Sequence, residues 1–405
     1  MHRAERLLAH LPTASPAASA DERIVVVSAL RTPLCRSRKG ALRDAFAVDL
    51  LAAALRGVLE ESGVRAADVG DVVIGNVLLP GGGSLTARQA ALMAGLPADV
   101  PVATVNRQCS SGLQAVANVA AAIRAGEYEI GIAGGFESMT KNSMMDSVAE
   151  MAPSIYESDA ASSCLVPMGI TSENVAEKYG IARERQDAFA ERSHRLASAA
   201  RERGDFAREI VPVHVLPEGA DAPVTVTADD GIRSGTTVEK LATLAPAFMP
   251  GGSTTAGNAS QTTDGAAAVL LMRESTAKRL GLAPKLVFES FDVVGCDPQI
   301  MGIGPALAIP RAVAKANISL DKVDVFEINE AFASQAVHCC DVLGLDMAKV
   351  NPNGGAIALG HPLGCTGARM VATLANEMDR KKAKYGVVSM CIGGGMGAAA
   401  VFSRP

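Results

Sequence analysis

Two cysteines and one histidine are the side chains whose surroundings point to chemistry. Cys109 lies in Asn106-Arg107-Gln108-Cys109-Ser110-Ser111-Gly112, just ahead of a long apolar run. Cys391 lies in Ser389-Met390-Cys391-Ile392-Gly393-Gly394-Gly395, where a strand-like run meets glycines. His361 stands in Gly360-His361-Pro362-Leu363-Gly364, upstream of the second cysteine. A thiolate is both a good nucleophile and a good leaving group near neutral pH. Two thiols and a histidine therefore suit acyl transfer between thiols better than hydrolysis. Taken singly, each has a plainer reading: a free cysteine is most often a small buried hydrophobe, and a histidine before proline a structural one.

Periodicity defines the elements that must hold these groups. Leu113, Ala115, Val116, Ala117, Val119, Ala120, Ala121, Ala122 and Ile123 leave almost no polar face, so this helix is expected to be buried on all sides. It should stop near Gly126, a suitable C-terminal cap. Cys109 then sits at its N-terminus, where free N–H groups favour an anion: a thiolate, or an oxyanion formed during reaction. Elsewhere, strands alternate with helices, which indicates parallel or mixed sheets flanked by helices.

The chain also repeats itself. Asp71-Val72-Val73-Ile74-Gly75-Asn76 can be laid on Asp324-Val325-Phe326-Glu327-Ile328-Asn329, Val105-Asn106 on Val350-Asn351, and Ser111-Gly112 on Thr366-Gly367. Such correspondences in one order favour duplication over chance. Between the halves lies a charged stretch, roughly 143–249. It should contain an amphipathic helix near 183–203, with Glu184, Arg185, Asp187, Glu191 and Arg192 on its polar side and Phe189, Leu196 and Ala200 on its apolar side. A strand is expected at Ile210-Val211-Pro212-Val213-His214-Val215.

With 405 residues, 48% hydrophobic and 20% charged, the chain can build two or three packed domains. There is no Trp and only 3% aromatics, so Ala and Val must fill much of the core. A net charge of -5 argues against general nucleic-acid binding, which needs a basic field. The 8 cysteines contain no CxxC and the 6 histidines are scattered, so no metal site is expected and the thiols are read as mostly reduced. The charge-free stretch from Gly386 to Ser403 reads as strand–turn–strand rather than a membrane span.

Residues 1–22 are rich in Ala, Pro, Ser and Arg. Within them, Arg3-Ala4-Glu5-Arg6-Leu7-Leu8-Ala9-His10-Leu11 resembles the N-terminal peroxisomal targeting nonapeptide, departing from it at Ala4. On a helix Arg3, Leu7, His10 and Leu11 share one side. The expected compartment is the peroxisome, the alternative a mitochondrial leader.

From Asn106 to Gln114 onward the chain resembles the thiolase family, in its degradative 3-ketoacyl-CoA branch. The resemblance runs from about residue 23 to the C-terminus. It includes Gly134-Gly135-Phe136-Glu137-Ser138-Met139, Pro167-Met168-Gly169-Ile170-Thr171-Ser172-Glu173-Asn174-Val175-Ala176 and Ser253-Thr254-Thr255-Ala256-Gly257-Asn258-Ala259-Ser260. It continues through Asn329-Glu330-Ala331-Phe332-Ala333, Gly354 to Arg369, and Cys391 to Gly397. The resemblance implies an α/β thiolase fold: two duplicated βαβαβαββ halves in a five-layer αβαβα arrangement with an inserted loop domain. The expected parts are a 1–22 extension, an N-terminal half of 23–142 with 250–280, a 143–249 loop domain, and a 281–405 C-terminal half.

The activity it implies is cleavage of 3-ketoacyl-CoA by CoA, giving acetyl-CoA and a shortened acyl-CoA in fatty-acid β-oxidation. Cys109 would carry the acyl group and Cys391 would move protons. His361 and a water held by Asn329 would serve the enolate oxygen, while the amides of Cys109 and Gly393 serve the thioester oxyanion. Met168, Arg233, Ala256 and Ser260 match positions that line CoA. CoA is then a co-substrate, with no permanently bound cofactor and no metal. A homodimer and a peroxisomal import receptor are the implied partners. The rival reading is a biosynthetic acetoacetyl-CoA thiolase. Decarboxylating condensing enzymes of the same fold lack the second cysteine, and a catalytically dead CoA-binding protein has no use for the intact constellation. Cys164, three residues ahead of Pro167-Met168, is a candidate disulfide partner for Cys109. Its plainer reading is a buried, unreactive thiol.

Overall fold

The computed structural model describes residues 22–144 and 151–405; the targeting-like nonapeptide lies outside them. The strands are β1 (Ile24–Arg31), β2 (Cys35–Arg36), β3 (Asp71–Gly75), β4 (Val102–Val105), β5 (Ile130–Ser138), β6 (Val213–Val215), β7 (Val224–Val226), β8 (Thr263–Arg273), β9 (Leu286–Gly295), β10 (Val325–Ile328), β11 (Tyr385–Ile392) and β12 (Met396–Ser403). The longer helices are α1 (Ala47–Ser62), α2 (Ser84–Met93), α3 (Ser111–Ala125), α4 (Met168–Tyr179), α5 (Arg183–Glu202), α6 (Gly304–Lys315), α7 (Ala333–Leu343) and α8 (Leu363–Lys381).

The duplication is visible in strand order. One half runs β4-β3-β5-β8-β1, and the other β10-β11-β12-β9. In each, an inner parallel pair (β3 with β5, β10 with β11) is followed by antiparallel partners. The second half's counterpart of β4 shrinks to a single parallel bridge between Val350 and Phe326, the position that the sequence pairs with Val105. The two half-sheets are continuous, because Ile24–Val26 of β1 pairs antiparallel with Leu286–Phe288 of β9.

Side-chain alternation sets the layers. Val25 and Val27 of β1 face the cluster built with α1 and α2, whereas Ile24 and Val26 face the cluster built with α3 and α8. In the second half Phe326, Val387 and Val401 face α6, and Val388, Met390 and Ala400 face α8. Because strand residues alternate between faces, each half-sheet is covered on both sides. The resulting order is α1/α2, half-sheet, α3/α8, half-sheet, α6/α7.

Helix α3 departs from its expectation. Its Leu113, Val116, Val119 and Ile123 are buried, but Asn118 and Ala121 are exposed. It packs on α8 and on β3 and β5, and among the described residues no element covers the remaining stripe. Its C-cap is Gly126 at φ 87°, as expected.

The excursion between β5 and β8 holds α4, α5 and the β6–β7 hairpin. Helix α5 matches the expected amphipathic segment, with two corrections. Asp187 is buried, because it pairs with Arg183 (2.8 Å) and accepts from Asn258 (2.9 Å), and Leu196 is only half-buried. Of the strand expected at 210–215, Val213–Val215 pairs as β6, and Ile210 makes a lone bridge to Arg31. Arg31 anchors this region through Glu209 (2.6 Å) and both oxygens of Asp229 (2.7 and 2.9 Å), all buried. Removing one partner would strand a buried charge, at a cost of roughly 3–5 kcal/mol.

β11 and β12 form the strand–turn–strand expected for 386–403. No helix among the described residues is long and apolar enough to cross a membrane.

Candidate active site

Cys109 sits on a turn strained by its own sequence. Gln108 adopts φ 47°, a left-handed conformation uncommon for residues other than Gly, Asn and Asp. Ser111 locks it: its Oγ donates to the Gln108 carbonyl (2.6 Å) and accepts from the Arg107 amide (2.9 Å). The turn places Cys109 just outside α3, whose N-cap is Ser110. The half-buried sulfur receives the backbone N–H groups of Gly393 and of Cys109 itself.

Those amides do not make a resting thiolate. Burial dominates and pushes the thiol up to about 11, against the two amides, and Glu137 adds to the rise. The helix-terminus expectation is corrected here. Cys109 precedes the cap rather than lying in the first turn, and loss of water outweighs the donors it gains.

His361 is buried, and its place is fixed from both sides. Its Nδ1 contacts Thr366 Oγ1 at 2.6 Å, and its Nε2 lies 3.4 Å from Asn329 Nδ2. An amide nitrogen only donates, so Nε2 accepts and the ring proton belongs on Nδ1, directed at Thr366. Burial, reinforced by Arg369, holds the imidazole down at about 3. It is therefore a neutral base at physiological pH. Leu363, two residues on, belongs with Val77, Leu78 and Met139 to the apolar cluster that Cys109 packs against.

Asn329 ends β10, where its amide donates to the Ser389 carbonyl of β11 (2.9 Å). Its Oδ1 is buried and has no partner among the described residues, so a water has a place to donate.

Cys391 is fully buried in β11 and packs with Met301, Ala331, Phe332 and Met168. Its Sγ–H donates to Gln335 Oε1 at 3.0 Å. Burial and the neighbouring Cys109 push its thiol well up.

The three glycines of this turn differ in what their backbone requires. A Cβ at Gly393 would meet only Met168 Sδ (3.6 Å) and Gln108 Cγ (3.9 Å), ordinary contacts. Gly394 and Gly395 carry positive φ of 81° and 85°, and a Cβ at Gly395 would strike the Cys296 carbonyl at 2.4 Å. Turn geometry demands glycine at 394 and 395.

The CoA candidates divide. Met168 reaches the centre, beside Gly393 and Cys391. Ser260 is close, since its amide donates to Ala331 (3.0 Å) and the next carbonyl, of Gln261, receives the His361 amide (3.0 Å). Ala256 is exposed on the same segment. Arg233 is exposed on a loop whose backbone amide donates to His194 Nδ1 (3.2 Å). Cys164 is exposed rather than buried, with Sγ 3.8 Å from the Gly394 carbonyl.

Three positions here escaped sequence reasoning: Gln335, Thr366 and Glu137. Glu137 accepts from Asn76 Nδ2 and the amides of Val77, Leu78 and Gly364, each at 3.1 Å. It thus ties the end of β3 to the histidine loop, and burial raises its carboxyl to about 7. A Glu in an apolar strand was its available signal. Among the described residues no group of three or more His, Cys, Asp or Glu could hold a metal.

This duplicated fold, with two neighbouring thiols where its halves meet, is that of an acyl-transferring thiol enzyme. Residues 24–275 match the thiolase N-terminal domain and residues 282–404 the thiolase C-terminal domain; the chain belongs to the thiolase family. It is 54% identical over 397 residues to the peroxisomal 3-ketoacyl-CoA thiolase of Homo sapiens, covering 96% of this chain and 93% of that one. The dimeric peroxisomal thiolase of Saccharomyces cerevisiae superposes with a TM-score of 0.89 at 43% identity, covering 96% of this chain and 98% of the other. Human mitochondrial 3-ketoacyl-CoA thiolase in complex with CoA gives 0.85 at 38%, covering 95% and 98%.

A resting thiol at Cys109 has a measurable consequence. Its alkylation by iodoacetamide should rise about tenfold per pH unit from pH 7 to 9, following the thiolate fraction. Peptide mass spectrometry gives the rate, and a plateau near pH 7 would show a preformed thiolate instead.

Proposed function

We propose that the chain cleaves 3-ketoacyl-CoA with CoA, releasing acetyl-CoA and a shortened acyl-CoA in peroxisomal fatty-acid β-oxidation. The observation that carries this reading is the Cys109 sulfur facing two backbone N–H groups, with the Cys391 thiol acting on it as a neighbour; the neutral His361, held between Asn329 and Thr366, supplies the base. The names of the relatives support the substrate and the compartment, and do not favour a biosynthetic role. The complex of the human mitochondrial relative supports CoA as co-substrate.

The chemistry follows from the placement of each group. Cys109 gives its proton to His361 as its sulfur attacks the 3-keto carbon. Transfer accompanies attack, because a buried neutral imidazole and a half-buried thiol do not ionise one another at rest. The bond between C2 and C3 then breaks, leaving an acyl-Cys109 thioester and the enolate of acetyl-CoA. The imidazolium and a water on Asn329 stabilise the enolate oxygen. Cys391 protonates C2, and acetyl-CoA departs. The Cys391 thiolate takes the proton of incoming CoA, whose sulfur attacks the thioester carbon. The amides of Cys109 and Gly393 receive the oxyanion, and expelled Cys109 recovers its proton from His361. Thioester reactant and product are close in energy, so a cysteine nucleophile suits the exchange.

Met168 and Ser260 then line the inner part of the CoA path, and Ala256 and Arg233 the outer part. The homodimer is carried over from the yeast relative.

Acyl trapping tests the reaction. Acetoacetyl-CoA without free CoA should leave one acetyl group on Cys109, and Cys109→Ala should abolish it. Acetylation surviving in that variant contradicts the assignment.

Residues 3–11 are the proposed signal for an import receptor. A fluorescent reporter fused to residues 1–22 should enter peroxisomes, and Leu7→Arg should leave it in the cytosol; equal import of both would exclude the segment.

Cys164 is the proposed redox partner of Cys109. A peroxide would take both thiol hydrogens, yielding the disulfide and water. Intact mass after mild peroxide should show loss of two hydrogens in the native chain and none in Cys164→Ser, and equal loss in both removes Cys164 from the account.

A further inference from the structure

Gln335 joins two parts of the site that the reaction keeps separate. It is buried in the first turn and a half of α7. Its Oε1 accepts the Cys391 thiol at 3.0 Å, and its Nε2 donates to the Asn329 main-chain carbonyl at 3.3 Å. The Asn329 amide in turn donates to Ser389, two residues before Cys391 on β11. Cys391, Gln335, Asn329 and Ser389 therefore close a small ring. Gly302 gives Gln335 its room, since a Cβ there would lie 2.6 Å from Gln335 Cβ.

The ring fixes which end of the amide faces the sulfur. Turning the amide over would set Oε1 against the Asn329 carbonyl, leaving two acceptors with no proton between them. So Nε2 must face Asn329, and Oε1 must face Cys391. An oriented carbonyl can accept from a thiol and cannot donate to a thiolate. The Cys109 sulfur meets two backbone N–H donors, one of them from Gly393, where Cys391 meets its own N–H and the Gln335 carbonyl.

We propose that Gln335 is the positioning residue that keeps the proton on Cys391, through an amide oriented by the Asn329 carbonyl, and so assigns it the acid role while Cys109 takes the nucleophile role. This rests on the thiolytic reading above. The step concerned is transfer of the Cys391 Sγ–H proton to C2 of the acetyl-CoA enolate, forming C–H and leaving a thiolate that CoA–SH reprotonates. Met301, Ala331 and Phe332 pack around the pair; burial and the thiols of Cys109, Cys339 and Cys296 hold the proton on Cys391, against its own backbone N–H.

Two acetyl donors separate this role from a structural one. Acetoacetyl-CoA needs an acid at C2, and an aryl thioacetate, with a stable leaving thiolate, does not. In Gln335→Met, first-turnover acetylation of Cys109 by acetoacetyl-CoA should fall at least about tenfold, while that by the aryl donor changes less than about twofold. Gln335→Glu adds a second readout. Its protonated carboxyl can both accept from Cys391 and donate to Asn329, and its carboxylate can only accept. Its acetoacetyl-CoA rate relative to native enzyme should therefore be highest at pH 5 and drop toward pH 8. Equal loss with both donors, or no loss with acetoacetyl-CoA, overturns the proposal. If Gln335→Met does not fold, a Gln335→Glu ratio independent of pH overturns it instead. Failure of the native enzyme with both donors would strike the thiolytic reading itself.

Discussion

The site exists because two central helices meet at their N-terminal ends with almost nothing between them. A Cβ on Gly112 of α3 would stand 2.7 Å from the Gly364 carbonyl of α8, and one on Gly367 of α8 would stand 2.2 Å from the Leu113 amide. Beneath them, a Cβ on Gly135 of β5 would lie 1.9 Å from the same Gly364 carbonyl. Backbone packs on backbone, so the loops ahead of the two helices converge. One carries Cys109 and the other His361. Overpacking a contact of this kind costs about 1–3 kcal/mol or more. Here it would also move the proposed base relative to the proposed nucleophile, where an error of about 1 Å can cost roughly 10²-fold.

Duplication explains why such a contact forms at all. Each half-sheet places a helix on the same inner face, and the β1–β9 pairing turns the two faces toward each other. The second half then adds β11, whose end delivers Cys391 and the Gly393 amide to the first half's cysteine. Neither half holds a complete set: Cys109 comes from one, and His361, Asn329 and Cys391 from the other. Burial completes the division by keeping all three titrating groups neutral at rest. Charge then develops only during reaction, beside donors already in place.

Much of this was legible in the sequence. The repeat marked the two halves, and the motifs singled out Cys109, His361, Asn329 and Cys391 as candidates. Glycines and strand periodicity identified the hairpin that ends the chain. What escaped depends on contacts between distant segments. Whether Cys109 ionises turns on a balance of burial against two amides, one of them from Gly393, which spacing does not reveal. Asp187 reads as surface charge until Arg183 and Asn258 enclose it. Gln335 lies six residues past Asn329, and only the fold around Gly302 brings its amide onto Cys391. Even the exposed stripe on α3 is invisible to periodicity, because alanine suits a buried and an open face alike.

The central claim is that one cysteine bonds to the acyl group and the other only moves protons. First-turnover labelling of Cys391→Ala tests it most directly. An aryl thioacetate should still acetylate Cys109 within about tenfold of the native rate, while acetoacetyl-CoA labelling falls by roughly 10² or more, the usual worth of a positioned acid. Loss of both labels together, or acetoacetyl-CoA labelling that survives, would contradict the division of labour.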